Sequence, residues 1–124
     1  MAKWITLIVG SSLGGVARYA LSGFVYRVFG SAFPHGTLAV NLTGCFLIGF
    51  LAVLSEQKFL LGPNARLLLM VGFCGAFTTF STFIYETAHL ITAGETLRAF
   101  ANILLSMILG FLVFRLGVLA GELL

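Results

Sequence analysis

Residues 72–83 read Gly72-Phe73-Cys74-Gly75-Ala76-Phe77-Thr78-Thr79-Phe80-Ser81-Thr82-Phe83. They lie inside an apolar run from Leu67 to Ile91. At 1.5 Å of rise per residue such a run can cross about 30 Å of hydrocarbon. Yet it carries Gly72 and Gly75, and the hydroxyls of Thr78, Thr79, Ser81 and Thr82 follow almost without a gap. Lipid gives such groups no water to bond with, so they must bond inside protein or face a cavity.

The rest of the chain has the same solvent preference. Its 124 residues are 60% hydrophobic and 9% charged, with a mean hydropathy of +1.10. A soluble domain would carry about 25% charged residues. Four apolar runs, near 4–29, 36–55, 66–91 and 97–121, are separated by short connections at 30–35, 56–65 and 92–96. The expectation is an all-α integral membrane protein with four transmembrane helices, forming one domain over 1–124. After Lys3 the first apolar stretch runs through Arg18 to Phe29 without a convincing cleavage site, too long for a signal-peptide core. Cys45 and Cys74 stand singly within spans, with no Cys-x-x-Cys spacing, and read as small apolar fillers. The net charge of +3 gives no reason to expect a nucleic-acid partner.

Four spans place the N-terminus, the 56–65 loop and the C-terminus on one side. That side receives Lys3, Lys58, Arg66 and Arg115, and the other receives Arg27 and Arg98. The bias is weak by the positive-inside rule and permits insertion in both orientations, hence an antiparallel homodimer. A bundle of four helices fills its own core, so an ion pathway would need a second subunit or a very narrow ion. Small residues at spacing four (Gly10 and Gly14, Ser11 and Gly15, Ser106 and Gly110, Gly117 and Gly121) suit close helix packing, within a chain or between two.

Polar groups at membrane depth are the functional candidates. Arg18 lies midway along the first span, where burial costs about 2.5–3.5 kcal/mol without a partner or a wet vestibule. Its donors could tie off backbone carbonyls or attract an anion. Positions 1–55 contain no acidic residue, which argues against an exporter of organic cations, the transport alternative, because that chemistry needs a membrane carboxylate on an early helix. In the second span Thr37 and Asn41 share a face one turn apart and offer neutral donors. A membrane anchor holding haem between two histidines is a further alternative, but His35 falls in a loop and His89 near a span end.

On a regular helix with Phe80 at 0°, Phe83 falls at about 300°, Ser81 at about 100° and Thr82 at about 200°. Thr78 falls at about 160° and Glu86 at about 240°, so hydroxyls and carboxyl share one arc opposite the rings. Gly72, Gly75 and the β-branched Thr78 and Thr79 weaken regular helix there. A break near 75–79 would free carbonyls able to hold Na⁺; a glycine face for close helix contact is the other reading. Phenylalanine edges are electropositive and can favour an anion, although such pairs often simply pack.

Three motifs then stand out: Gly-Gly-Val-Ala-Arg-Tyr at 14–19, Gly-Thr-Leu-Ala-Val-Asn at 36–41, and the stretch at 72–83. With them the chain resembles the Fluc (CrcB) fluoride channels over essentially its whole length. The resemblance implies a channel and not an enzyme: an antiparallel, dual-topology homodimer in a bacterial inner or plasma membrane, with two narrow F⁻ pathways that confer fluoride resistance. It implies ring edges from Phe80 and Phe83, an amide donor at Asn41, and a hydroxyl track of Ser81 and Thr82 leading to Glu86, with Thr37 contributing. Arg18 would be structural or vestibular. A central, non-transported Na⁺ would be held by the carbonyls of Gly75 and Thr78 from both subunits. Asn102 and Ser106 are the fourth-span candidates.

Overall fold

The computed structural model describes residues 1–124, and all of its regular structure is helical. Four stretches are long and apolar enough to span a bilayer: Ala2–Phe29, His35–Gln57, Pro63–Thr92 and Thr96–Glu122. These match the four apolar runs of the sequence and extend each by a turn or less at its ends.

The helix ends follow local chemistry. The first helix stops at Gly30, whose φ of 79° suits glycine and whose amide donates to the Tyr26 carbonyl at 2.8 Å. Pro34 precedes the second helix, and its missing N–H is no loss there because the amides of a helix's first turn have no internal partner. That helix runs over His35–Ala52 and continues as the π-helical turn Val53–Gln57. Arg66 donates to the Ser55 carbonyl at 2.7 Å, and Lys58 to the Glu122 carbonyl at 3.3 Å. Two helix ends are thereby supplied with cationic donors on one side of the bundle.

The third span is composite. It opens at Pro63–Arg66, widens into π turns over Leu67–Cys74, and returns to α geometry over Gly75–Phe77. Thr78 (φ −83°, ψ 156°) and Thr79 (φ −149°, ψ 116°) are extended, and α-helix resumes over Phe80–Thr92.

Glycine seams join the helices. A Cβ on Gly10 would meet the Leu68 carbonyl, and one on Gly14 the Phe73 carbonyl, so the first helix lies backbone to backbone on the N-terminal half of the third span. Gly117 and Gly49 make equivalent approaches to the carbonyls of Phe46 and Phe114, joining the second and fourth helices. The pairs Gly10/Gly14 and Gly117/Gly121 are therefore used inside the chain. Gly15 has nothing within 4 Å of an added Cβ, and Gly110 makes only an ordinary contact, 3.7 Å from the Cys45 sulfur. The C-terminal half of the third span leans on the fourth helix instead. There Asn102, 1% exposed, donates to Thr87 Oγ1 at 2.9 Å, and Thr87 donates on to the Phe83 carbonyl at 2.7 Å.

Candidate functional site

The site begins with two diverted amides. In an unbroken helix the Thr79 N–H would bond the Gly75 carbonyl, and the Thr82 N–H the Thr78 carbonyl. Here the Thr79 amide donates to Asn41 Oδ1 at 2.8 Å, and the Thr82 amide donates to Thr79 Oγ1 at 3.2 Å as a helix N-cap. Asn41 Nδ2 in turn donates to the Thr79 carbonyl at 3.0 Å, so one amide side chain grips both polar groups of Thr79. The carbonyls of Gly75 and Thr78 are left without their helical donors. Thr78 itself stays tied to the preceding half, its amide (3.1 Å) and hydroxyl (2.9 Å) both donating to the Cys74 carbonyl.

A cleft opens on each side of this interruption. The first, about 410 Å³, is lined among others by Asn41, Gly75, Thr78, Phe80, Phe83 and Ser106. The two rings lie 5.9 Å apart at 40°, with Phe80 75% exposed. Asn41 keeps one Nδ2 proton that is not used on Thr79. Cys45 and Cys74 line the same cleft as free thiols.

The second cleft, about 380 Å³, is lined by Arg18, Tyr19, Ser22, Tyr26, Thr37, Thr82 and Glu86, with Gly15, Val40 and Thr79. Glu86 Oε1 accepts from Thr37 at 2.8 Å and from Tyr26 at 3.1 Å. Its Oε2 is buried with no partner. Arg18 lines this cleft and bonds no carbonyl of its own chain. Tyr26 and Glu86 also line a third hollow of about 290 Å³ that reaches Tyr85 and His89.

Most of the residues singled out in the sequence thus gather around the two halves of the third span, but two land elsewhere than the regular helix placed them. Thr78 lines the aromatic cleft and not the polar arc, because the extended backbone at 78–79 resets the helical phase. Ser81 is exposed and lines neither cleft; its hydroxyl lies 3.5 Å from Thr79 Oγ1. Asn102 is a packing group under Thr87, whereas Ser106 reaches the aromatic cleft. The sequence reading did not single out Tyr26, and it marked Thr79 only as a hydroxyl that weakens the helix, with no site role. Arg18, Ser22 and Tyr26 recur every four residues on one helix face, a stripe that marked Tyr26. Thr79 sits at the N-cap position before Phe80–Thr92, where Ser and Thr are favoured. No cluster of three or more His, Cys, Asp or Glu side chains suited to a metal is present.

The sequence matches the family described as CrcB-like protein, Camphor Resistance (CrcB), over residues 5–118. A protein of Methylocella silvestris named "Fluoride-specific ion channel FluC" is 45% identical over 116 residues, covering 92% of this chain and 88% of the relative. One of the same name from Desulforapulum autotrophicum is 44% identical over 121 residues, with 98% and 97% covered. Another from Geotalea uraniireducens is 45% identical over 122 residues, with 98% of each covered. With matches of this extent, the chain belongs to the CrcB family.

Proposed function

We propose that this protein is a fluoride-selective channel, not an enzyme, which lets F⁻ leave the cell passively and so confers fluoride resistance. The observation that carries the reading is the pair of clefts flanking the interrupted third span, within a chain similar end to end to proteins named for fluoride. Phe80 and Phe83 border one cleft with electropositive edges beside the spare N–H of Asn41. Along the other the Thr82 hydroxyl offers a donor, while those of Thr37 and Tyr26 already donate to Glu86. Such neutral contacts can replace part of the hydration of a small anion without trapping it, and conduction needs both entry and release. Fluoride export would follow entry of HF and its dissociation in a less acidic cytoplasm.

Two copies in antiparallel arrangement would complete the pathways. In one chain Phe80 is largely exposed and Gly75 faces outward, which leaves the aromatic cleft short of a wall. A two-fold axis in the membrane plane would bring the interrupted spans together and build two equivalent routes. The Gly75 and Thr78 carbonyls of both copies would then converge on a central Na⁺ that is not transported. The fit is favourable: hard oxygen ligands, freed by diversion of two amides, at a helix interruption. Bound there, Na⁺ would neutralise the carbonyl dipoles and join the subunits. The setting would be a bacterial inner or plasma membrane.

The decisive measurement is anion efflux from liposomes holding the purified protein. Rapid F⁻ release without Cl⁻ release is expected; equal release of both anions would sink the reading.

A further inference from the structure

We infer that Asn41 and Thr79 are positioning residues that hold the cation site open, and that Asn41 links that site to the anion cleft. The inference rests on the Na⁺ reading above and assigns its construction to two side chains. A helix interrupted by two residues would tend to re-form its bonds, because amides without acceptors inside a membrane cost several kcal/mol each in general. Of the four amides, 79–82, that an unbroken helix would pair with carbonyls 75–78, those of Thr79 and Thr82 have side-chain acceptors here. Asn41 Oδ1 holds the Thr79 N–H at 2.8 Å, and Thr79 Oγ1 holds the Thr82 N–H at 3.2 Å. The Thr79 hydroxyl proton is itself placed, donating to Thr82 Oγ1 at 3.0 Å, which leaves the Thr79 oxygen lone pairs turned to the Thr82 amide.

The consequence falls on the two carbonyls named for the cation. Gly75 and Thr78 are the i−4 partners of Thr79 and Thr82, so these two side chains leave those two oxygens available. Asn41 also lines the aromatic cleft, and its remaining Nδ2 proton is free there. One amide thus fixes the backbone at the cation and offers a donor to the anion.

Thr79→Val keeps the side-chain shape and removes the acceptor, Thr79→Ser keeps the acceptor, and Asn41→Ala removes the backbone grip. Phe83→Ile serves as a control that alters only the aromatic wall. The readout is the thermal unfolding midpoint of the detergent-solubilised protein, titrated with NaCl against N-methylglucamine chloride. Wild type and Phe83→Ile should be stabilised by Na⁺ with the same half-maximal concentration. Thr79→Val should need at least ~10-fold more Na⁺, Asn41→Ala likewise, and Thr79→Ser should return to within about threefold of wild type. Folded Thr79→Val and Asn41→Ala proteins with the wild-type Na⁺ response would overturn the inference. Equal weakening in Thr79→Ser would also overturn it, since shape rather than the acceptor would then matter. No Na⁺ stabilisation of wild type would remove the cation reading itself. Loss of F⁻ selectivity in liposomes with the Na⁺ pattern intact would remove only the fluoride reading.

Discussion

Individual side chains here act through few, specific bonds, and their replacement should separate function from stability. Phe80→Ile or Phe83→Ile removes a ring edge and leaves an apolar side chain in place. Each should slow F⁻ efflux from liposomes by tenfold or more while the elution position in size-exclusion chromatography stays that of the wild type; unchanged rates in both would leave the rings as packing. Asn102 is a different case. It is almost fully buried and its only assigned role is the bond to Thr87. Asn102→Ala removes the donor to the Thr87 oxygen, whose hydroxyl still donates to the Phe83 carbonyl, and opens a small cavity, together a loss of about 1–3 kcal/mol. Thermal unfolding should register it, with anion selectivity retained. At Glu86 the carboxylate holds Thr37 and Tyr26 together through one oxygen. Thr37→Val should therefore change efflux more than it changes the unfolding midpoint, because Tyr26 still anchors the carboxylate.

At the scale of the elements, the same residue type has opposite consequences according to what faces it. An added methyl on Gly117 would run into the Phe46 carbonyl, and backbone cannot turn aside as a side chain can. Gly117→Ala should therefore destabilise by about 1–3 kcal/mol through forced separation of the second and fourth helices. Gly23 has nothing within 4 Å of the same methyl. Gly23→Ala should be neutral or stabilising by up to about 1 kcal/mol through helix propensity. Parallel unfolding curves on the two variants check both statements, and equal effects would mean the seam is not a close one. The interrupted span extends this logic. Its first half is held by glycine seams to the first helix and its second by Asn102 on the fourth. The extended pair Thr78–Thr79 therefore sits where the span changes neighbours.

For the whole molecule, a weak charge bias across the loops matters more than any single contact. If chains insert both ways, as the proposed antiparallel pairing requires, C-terminal fusions to a periplasm-active phosphatase and to a cytoplasm-active fluorescent protein should both report signal. Signal from one reporter alone would oppose dual topology. Mutations that add two or three lysines to a single loop should bias orientation and lower fluoride resistance in cells. Co-expression with an oppositely biased version should restore it, since the two populations can again pair.

Hydropathy alone determined four spans and their approximate limits, because about 20 consecutive apolar residues have few alternatives to crossing a bilayer as helix. It also marked Arg18, Thr37, Asn41 and Glu86, since polar groups at membrane depth are conspicuous against so apolar a background, whereas Phe80 and Phe83 were singled out only by the family resemblance. The assignment of those residues to two different clefts was beyond it. A regular helical wheel carries its phase unchanged through 78–79, whereas the extended backbone there moves Thr78 to the aromatic side and leaves Ser81 outside both clefts. Nor could spacing show that Asn41 bonds Thr79, or that Tyr26 meets Thr37 and Glu86. Those contacts join helices far apart in the chain, and their register is set by glycine seams whose close approach exists only once the bundle has packed.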